Sequence, residues 1–84
     1  MMKAKITIML KPGLLDAQGK TMRGALESLG FKGIQQVRVG KYVEVELQHT
    51  GRAAAKQDVE RMCRTLLANP VVEQYQIEVV GPRG

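Results

Sequence analysis

The 84-residue sequence has no tryptophan, one phenylalanine, two tyrosines, one cysteine and one histidine. Each scarcity excludes something. A lone Cys63 cannot close an internal disulfide, which fits a reducing compartment. One thiol and one imidazole, Cys63 and His49, are too few ligands for a zinc site. Phe31, Tyr42 and Tyr75 are the only aromatics, and Tyr42 alone on its strand face makes a poor platform for stacked bases. No Gly-rich run is followed by Lys-Ser or Lys-Thr, so no phosphate-binding loop is present. The apolar run at residues 6–10 is too short for a signal-peptide core and is hemmed by Lys3, Lys5 and Lys11. Nothing approaches the ~20 apolar residues of a membrane span. By elimination the expected location is cytoplasmic, with no membrane partner.

What is present describes one small domain over residues 1–84, with 80–84 as a flexible tail. A chain of this size buries only about 60–65% of its unfolded surface, so its core is thin and self-association is a common remedy. The 44% hydrophobic and 25% charged shares are those of a folded chain. A net charge of +5 permits a nucleic acid or an acidic protein as partner. The lysines and arginines are spread along the chain, however, and read as a solvated basic surface.

Residues 34–47, IQQVRVGKYVEVEL, organise the rest. Val37, Val39, Val43, Val45 and Leu47 recur with a period of two, the mark of a strand with one buried face. A two-residue turn at Gly40-Lys41 would pair Val39 with Tyr42 and place the valines on opposite faces. One strand continuing through Gly40, bent or bulged there, keeps the odd positions together with only Lys41 out of pattern. A longer loop with a bulge also restores parity. Fourteen extended residues span about 45 Å and a thirteen-residue helix only about 20 Å. One end of such a strand overruns the sheet, and its open backbone groups are most simply satisfied by a second copy of the chain.

Around it, residues 3–11 alternate Ala4, Ile6, Ile8 and Leu10 with Lys3, Lys5, Thr7 and Lys11, a first strand closed by Pro12-Gly13. Asp16 stands at an N-cap position for a helix over residues 17–29, with Met22, Ala25, Leu26 and Leu29 as inner stripe and Gly30 as stop. Gly19 and Gly24 each cost about 1 kcal/mol in a helix interior, so something packs closely on them or the first turn is loose. His49-Thr50-Gly51 forms a polar loop. A second helix over 52–68 carries Val59, Met62, Cys63, Leu66 and Leu67 at helical spacing and stops at Asn69-Pro70. Residues 71–80 form the last strand, with Tyr75, Ile77 and Val79 on one face. The order predicts an α+β two-layer sandwich. An antiparallel-type sheet of three to four strands, one of them long and bent, carries two helices on one face. A ferredoxin-like arrangement is the rival if the middle strand splits in two.

Cys63 lies within the apolar stripe of the second helix and reads as a core residue rather than a nucleophile activated by His49. Glu44 and Glu46 read as a solvated strand face rather than an acid–base pair. No catalytic, cofactor-binding or metal-binding residue is expected, and the residues alone describe a binding or assembly module. A small nucleic-acid-binding module and a regulatory ligand-binding domain that dimerises through its sheet are the alternatives.

Several stretches together resemble the PurS family, the small subunit of phosphoribosylformylglycinamidine synthase. They are Leu15-Asp16-Ala17-Gln18-Gly19, Ala25-Leu26, Leu29-Gly30, Val37-Arg38-Val39-Gly40-Lys41 with Glu44, Cys63, and Leu66-Leu67-Ala68-Asn69-Pro70-Val71-Val72-Glu73. The likeness covers residues 3–80 in order and spacing; Ala17 stands where the family commonly has proline. The resemblance implies a complex in which a glutaminase subunit releases ammonia. A large synthetase subunit uses ATP and magnesium to activate an amide, and the small subunit joins the two. It implies no cofactor on this chain and a homodimer or tetramer. Carried over by position, the interface candidates are Asp16, Gln18 and Gly19 at the first helix start, and Arg38, Gly40 and Lys41 on the long strand. The competing role of each is structural: a cap, close packing, a bend or a solvated charge.

Overall fold

The computed structural model describes residues 1–48 and 51–81. The order is β1 (Met2–Leu10), α1 (Ala17–Ser28), β2 (Gly40–Leu47), α2 (Arg52–Met62) with a wider π turn over Cys63–Leu67, and β3 (Glu73–Val80). The three strands form one antiparallel sheet in the order β2-β1-β3. The sequence expectations for His49, Thr50 and residues 82–84 of the tail lie outside the described residues.

Strand alternation sets the layers. Ile6 pairs with Val43 on one side and Ile77 on the other, and Ala4 with Val45 and Val79. These rows share one face. Ala4, Ile6 and Ile8 there are fully buried with Val59 and Cys63 of the helical layer. Burying each isoleucine contributes roughly 1.5–3 kcal/mol, so the central strand and α2 hold this part of the fold together. The opposite face alternates charge. Lys3 pairs with Glu46, and Lys5 lies between Glu44 and Glu78. The exposed Lys3–Glu44 ion pair, at 3.8 Å, is of the kind that contributes at most about 1 kcal/mol.

Lys41, the one residue out of pattern, is explained by the helix end. It pairs with Ile8 on the apolar side of the sheet. Its Nζ donates to the Leu67 carbonyl at 3.2 Å and lies 3.8 Å from a Glu73 carboxylate oxygen. A long side chain can lie on apolar surface and place its charge at unsatisfied carbonyls, where the helix dipole favours a cation.

The second helix ends as Asn69-Pro70 predicts, but its last turn is wound wider. Ala68 N–H reaches back five residues to the Cys63 carbonyl, at 3.0 Å. Asn69 then closes the turn, accepting from Val71 N through its side chain and from Val72 N and Glu73 N through its carbonyl. The wider winding shifts the stripe. Cys63 stays buried and Leu67 half-buried, while Leu66, expected in the core, is 82% exposed.

Two further expectations change. The sheet takes only residues 40–47 of the stretch 34–47, and Gly40 pairs one-to-one with Met9 without a bulge. Glycine stands there because a Cβ would lie 2.5 Å from the Ile8 carbonyl oxygen and 2.1 Å from Met9 Sδ. Nor does α1 lie on the sheet. It packs on no strand appreciably and its stripe is open, with Met22 and Leu29 exposed and only Leu26 half-buried. The sheet carries α2 alone, and α1 extends the molecule to 50 × 29 × 15 Å.

Candidate assembly site

Of the six interface candidates, Asp16, Gly19 and Arg38 make contacts at the junction between α1 and the sheet and Gly40 opens β2 beside it, while Lys41 reaches instead to the end of the second helix. Asp16 has extended backbone angles and caps α1, its Oδ1 accepting from Gly19 N–H at 2.8 Å. Its other oxygen accepts from Val39 N–H, also at 2.8 Å. One carboxylate thus ties the helix start to a residue 23 positions on. The two backbone donors, Val39 first and Gly19 second, hold its pKa below the ordinary value.

Gly19 is the one buried residue of α1, because the chain of residues 34–39 runs against it. A Cβ at Gly19 would stand 2.0 Å from the Val37 carbonyl oxygen. That explains the first helix-interior glycine by close packing; Gly24 has open space where its Cβ would be, and nothing in the structure accounts for it. Further along α1, Arg23 Nε donates to the Ile34 carbonyl at 2.8 Å, and its guanidinium lies 3.4 Å from Glu27. Arg38 donates to the Leu10 carbonyl at the end of β1. Gln18 is exposed. Helix α1 and residues 34–39 therefore form one arm, held at both ends.

The far end of the arm is closed by a left-handed glycine. Gly30, at φ +99°, lets its own N–H bond the Glu27 carbonyl and Phe31 N–H bond the Leu26 carbonyl. Five large apolar side chains on this part of the chain are exposed: Leu14, Leu15, Met22, Leu29 and Phe31. Between residues 32 and 39 no backbone group bonds to another backbone group among the described residues. The candidates marked Asp16, Gly19 and Arg38 as special. Arg23 and the open apolar set were missed, since a helix stripe looks the same whatever covers it.

Chemistry is sparse elsewhere. Cys63 sits in the core, and burial, with Glu60 nearby, pushes its thiol pKa up, away from a reactive thiolate. Among the described residues no three acidic, His or Cys side chains gather as metal ligands, and no helix is long and apolar enough to cross a membrane.

Fold and site together define a small α+β domain of one antiparallel sheet, with an interlocked helical arm that carries an open apolar surface. A family model described as PurS, phosphoribosylformylglycinamidine (FGAM) synthase, matches residues 3–81. The phosphoribosylformylglycinamidine synthase subunit PurS of Synechocystis is 40% identical over 80 residues, 95% of this chain and 80% of that protein. The crystal structure of Methanocaldococcus jannaschii PurS superposes with a TM-score of 0.87 at 39% identity, covering 95% of this chain and 96% of that one. A chain in the structure of PurLQS from Thermotoga maritima gives a TM-score of 0.85 at 29% identity over 94% of this chain and 96% of its own. The chain belongs to the PurS family.

Proposed function

We propose that this protein is the small, non-catalytic subunit of a phosphoribosylformylglycinamidine synthase in cytoplasmic purine biosynthesis. In this reading it self-associates, bridges a glutaminase subunit and an ATP-dependent synthetase subunit, and assists the passage of ammonia between them. The observation that carries it is the family match across residues 3–81, on a chain whose one thiol is buried in its core. A relative's structure bears the name PurLQS, which supports a complex of three kinds of subunit. ATP and magnesium belong to the synthetase, and this chain binds neither. Ammonia in neutral water is mostly protonated and no longer a nucleophile, so two active sites that share it gain from being held in register. Nucleic acid is disfavoured as a partner because the central lysines of the open sheet face are interleaved with Glu44, Glu46 and Glu78.

The test is reconstitution. Glutamine-dependent formation of the amidine should require all three subunits, while the synthetase supplied with free ammonia at high pH should work without this one. The chain alone should hydrolyse neither glutamine nor ATP. Full glutamine-dependent rate with the small subunit omitted would overturn the bridging role.

A further inference from the structure

The last turn of the second helix departs from the register that its own sequence sets. Ala55, Val59 and Cys63 face the core at helical spacing. An α-helical continuation points Leu66 within about 20° of the middle of that stripe and Leu67 about 80° away from it. The opposite is found. Ala68 N–H bonds the Cys63 carbonyl at 3.0 Å, one residue beyond Arg64, its α-helical acceptor. The extra residue turns Leu66 out, to 82% exposure, and brings Leu67 in against the core. One leucine stands in for another, so apolar burial differs little between the two registers. The polar groups at the helix end decide.

Lys41 gathers those groups. Its Nζ donates to the Leu67 carbonyl at 3.2 Å and lies 3.8 Å from one Glu73 carboxylate oxygen. The other Glu73 oxygen accepts from Asn69 N–H at 2.7 Å. Both ends of this link are anchored in the sheet, Lys41 opposite Ile8 and Glu73 opposite Leu10. Lys11 N–H also holds the Val72 carbonyl at 2.9 Å, so the chain beyond the turn is tied down. In the narrow register the Leu67 carbonyl rotates by about 100° around the helix axis, away from the ammonium. A cation on a helix's last carbonyls is favoured, and here only the wide register offers that carbonyl to Lys41.

We propose that this turn is a two-register element and that Lys41 is its latch. With the ammonium seated on the Leu67 carbonyl and beside Glu73, the turn is wide. Leu66 and Leu67 then both line an apolar groove of about 550 Å³ beside Val45 and Met62. With the ammonium withdrawn, Ala68 bonds Arg64, Leu66 takes the core position and the groove loses that wall. Coupling of this kind needs an element with two discrete arrangements, and the adjacent leucines supply them. Lys41 stands at the start of an edge strand with 56% of its side chain exposed. Any group there that draws its ammonium off Glu73 releases the turn, so the shape of the groove answers to events at the strand edge.

Nuclear magnetic resonance on the full chain tests the latch. In wild type, Ala68 N–H should couple through its hydrogen bond to the Cys63 carbonyl, and the Leu66 methyls should not contact Ile8. Lys41→Met keeps the apolar stem and removes the charge. It should raise the narrow population at least tenfold, seen as Ala68–Arg64 coupling, Leu66–Ile8 contacts and millisecond exchange confined to residues 63–68. Lys41→Arg keeps the charge and should shift that population less than threefold. Unchanged signals at 63–68 in Lys41→Met, or an equal shift in both variants, would overturn the latch. Fraying of residues 63–68 in Lys41→Met, with no Leu66–Ile8 contact, would show that no second register exists. Ala68–Arg64 coupling as the main state of wild type would overturn the wide turn itself.

Discussion

The two halves of this chain obey the same patterning rules and reach opposite ends. The β1–α2–β3 half closes on itself: Ile6, Ile8, Val59 and Cys63 are fully buried and share one cluster. The arm has an equally regular helix, a good N-cap and a glycine stop, yet Leu29 is 75% exposed and Phe31 57%. Local rules make a helix in both cases. Whether its stripe is buried depends on where the ends are tied, and the arm is tied to residues 34–39 instead of to the sheet.

That contrast can be broken by mutation, beginning where the effect is greatest. Ile6→Ala should cost roughly 2–5 kcal/mol, since the buried site lies between two paired strands and under α2 and cannot collapse. Urea denaturation measures it, and a loss below about 1 kcal/mol would mean that the closed half is not the stable one. Cys63→Ala should cost about 1–2 kcal/mol through a small void. Reconstituted glutamine-dependent activity should persist in the cold, and its loss in a well-folded variant would restore a catalytic thiol.

Asp16 sharpens the comparison because it ties the arm by charge-assisted bonds. Asp16→Ala should loosen the arm by removing its cap, and should free the Val39 amide to exchange. The folded Asp16 pKa lies below its ordinary 3.8, so its stabilisation is fully present above that value. It is lost as pH falls through the lower folded value. Val39 amide protection should follow this course in wild type, while Asp16→Asn should flatten it. The smallest effect belongs to the open stripe. At dilutions where the chain is monomeric, Leu29→Ser should change folding stability by less than about 0.5 kcal/mol. A larger loss would show that the arm packs on its own sheet.

The sequence by itself determined the elements and the inward faces of the strands. Alternation in β1 and β2, the Asp16 cap, the Gly30 stop and Asn69-Pro70 were all legible, because each acts within a few residues through backbone sterics and local hydrogen bonds. Only the tertiary structure decided that the strand enters the sheet at Gly40, that Lys41 caps the second helix, and that a wide turn moves Leu66 outward. It also decided where α1 points, through the bond from Val39 to Asp16 across 23 residues. No periodicity encodes a contact at that separation, because it depends on where two distant backbone segments happen to meet.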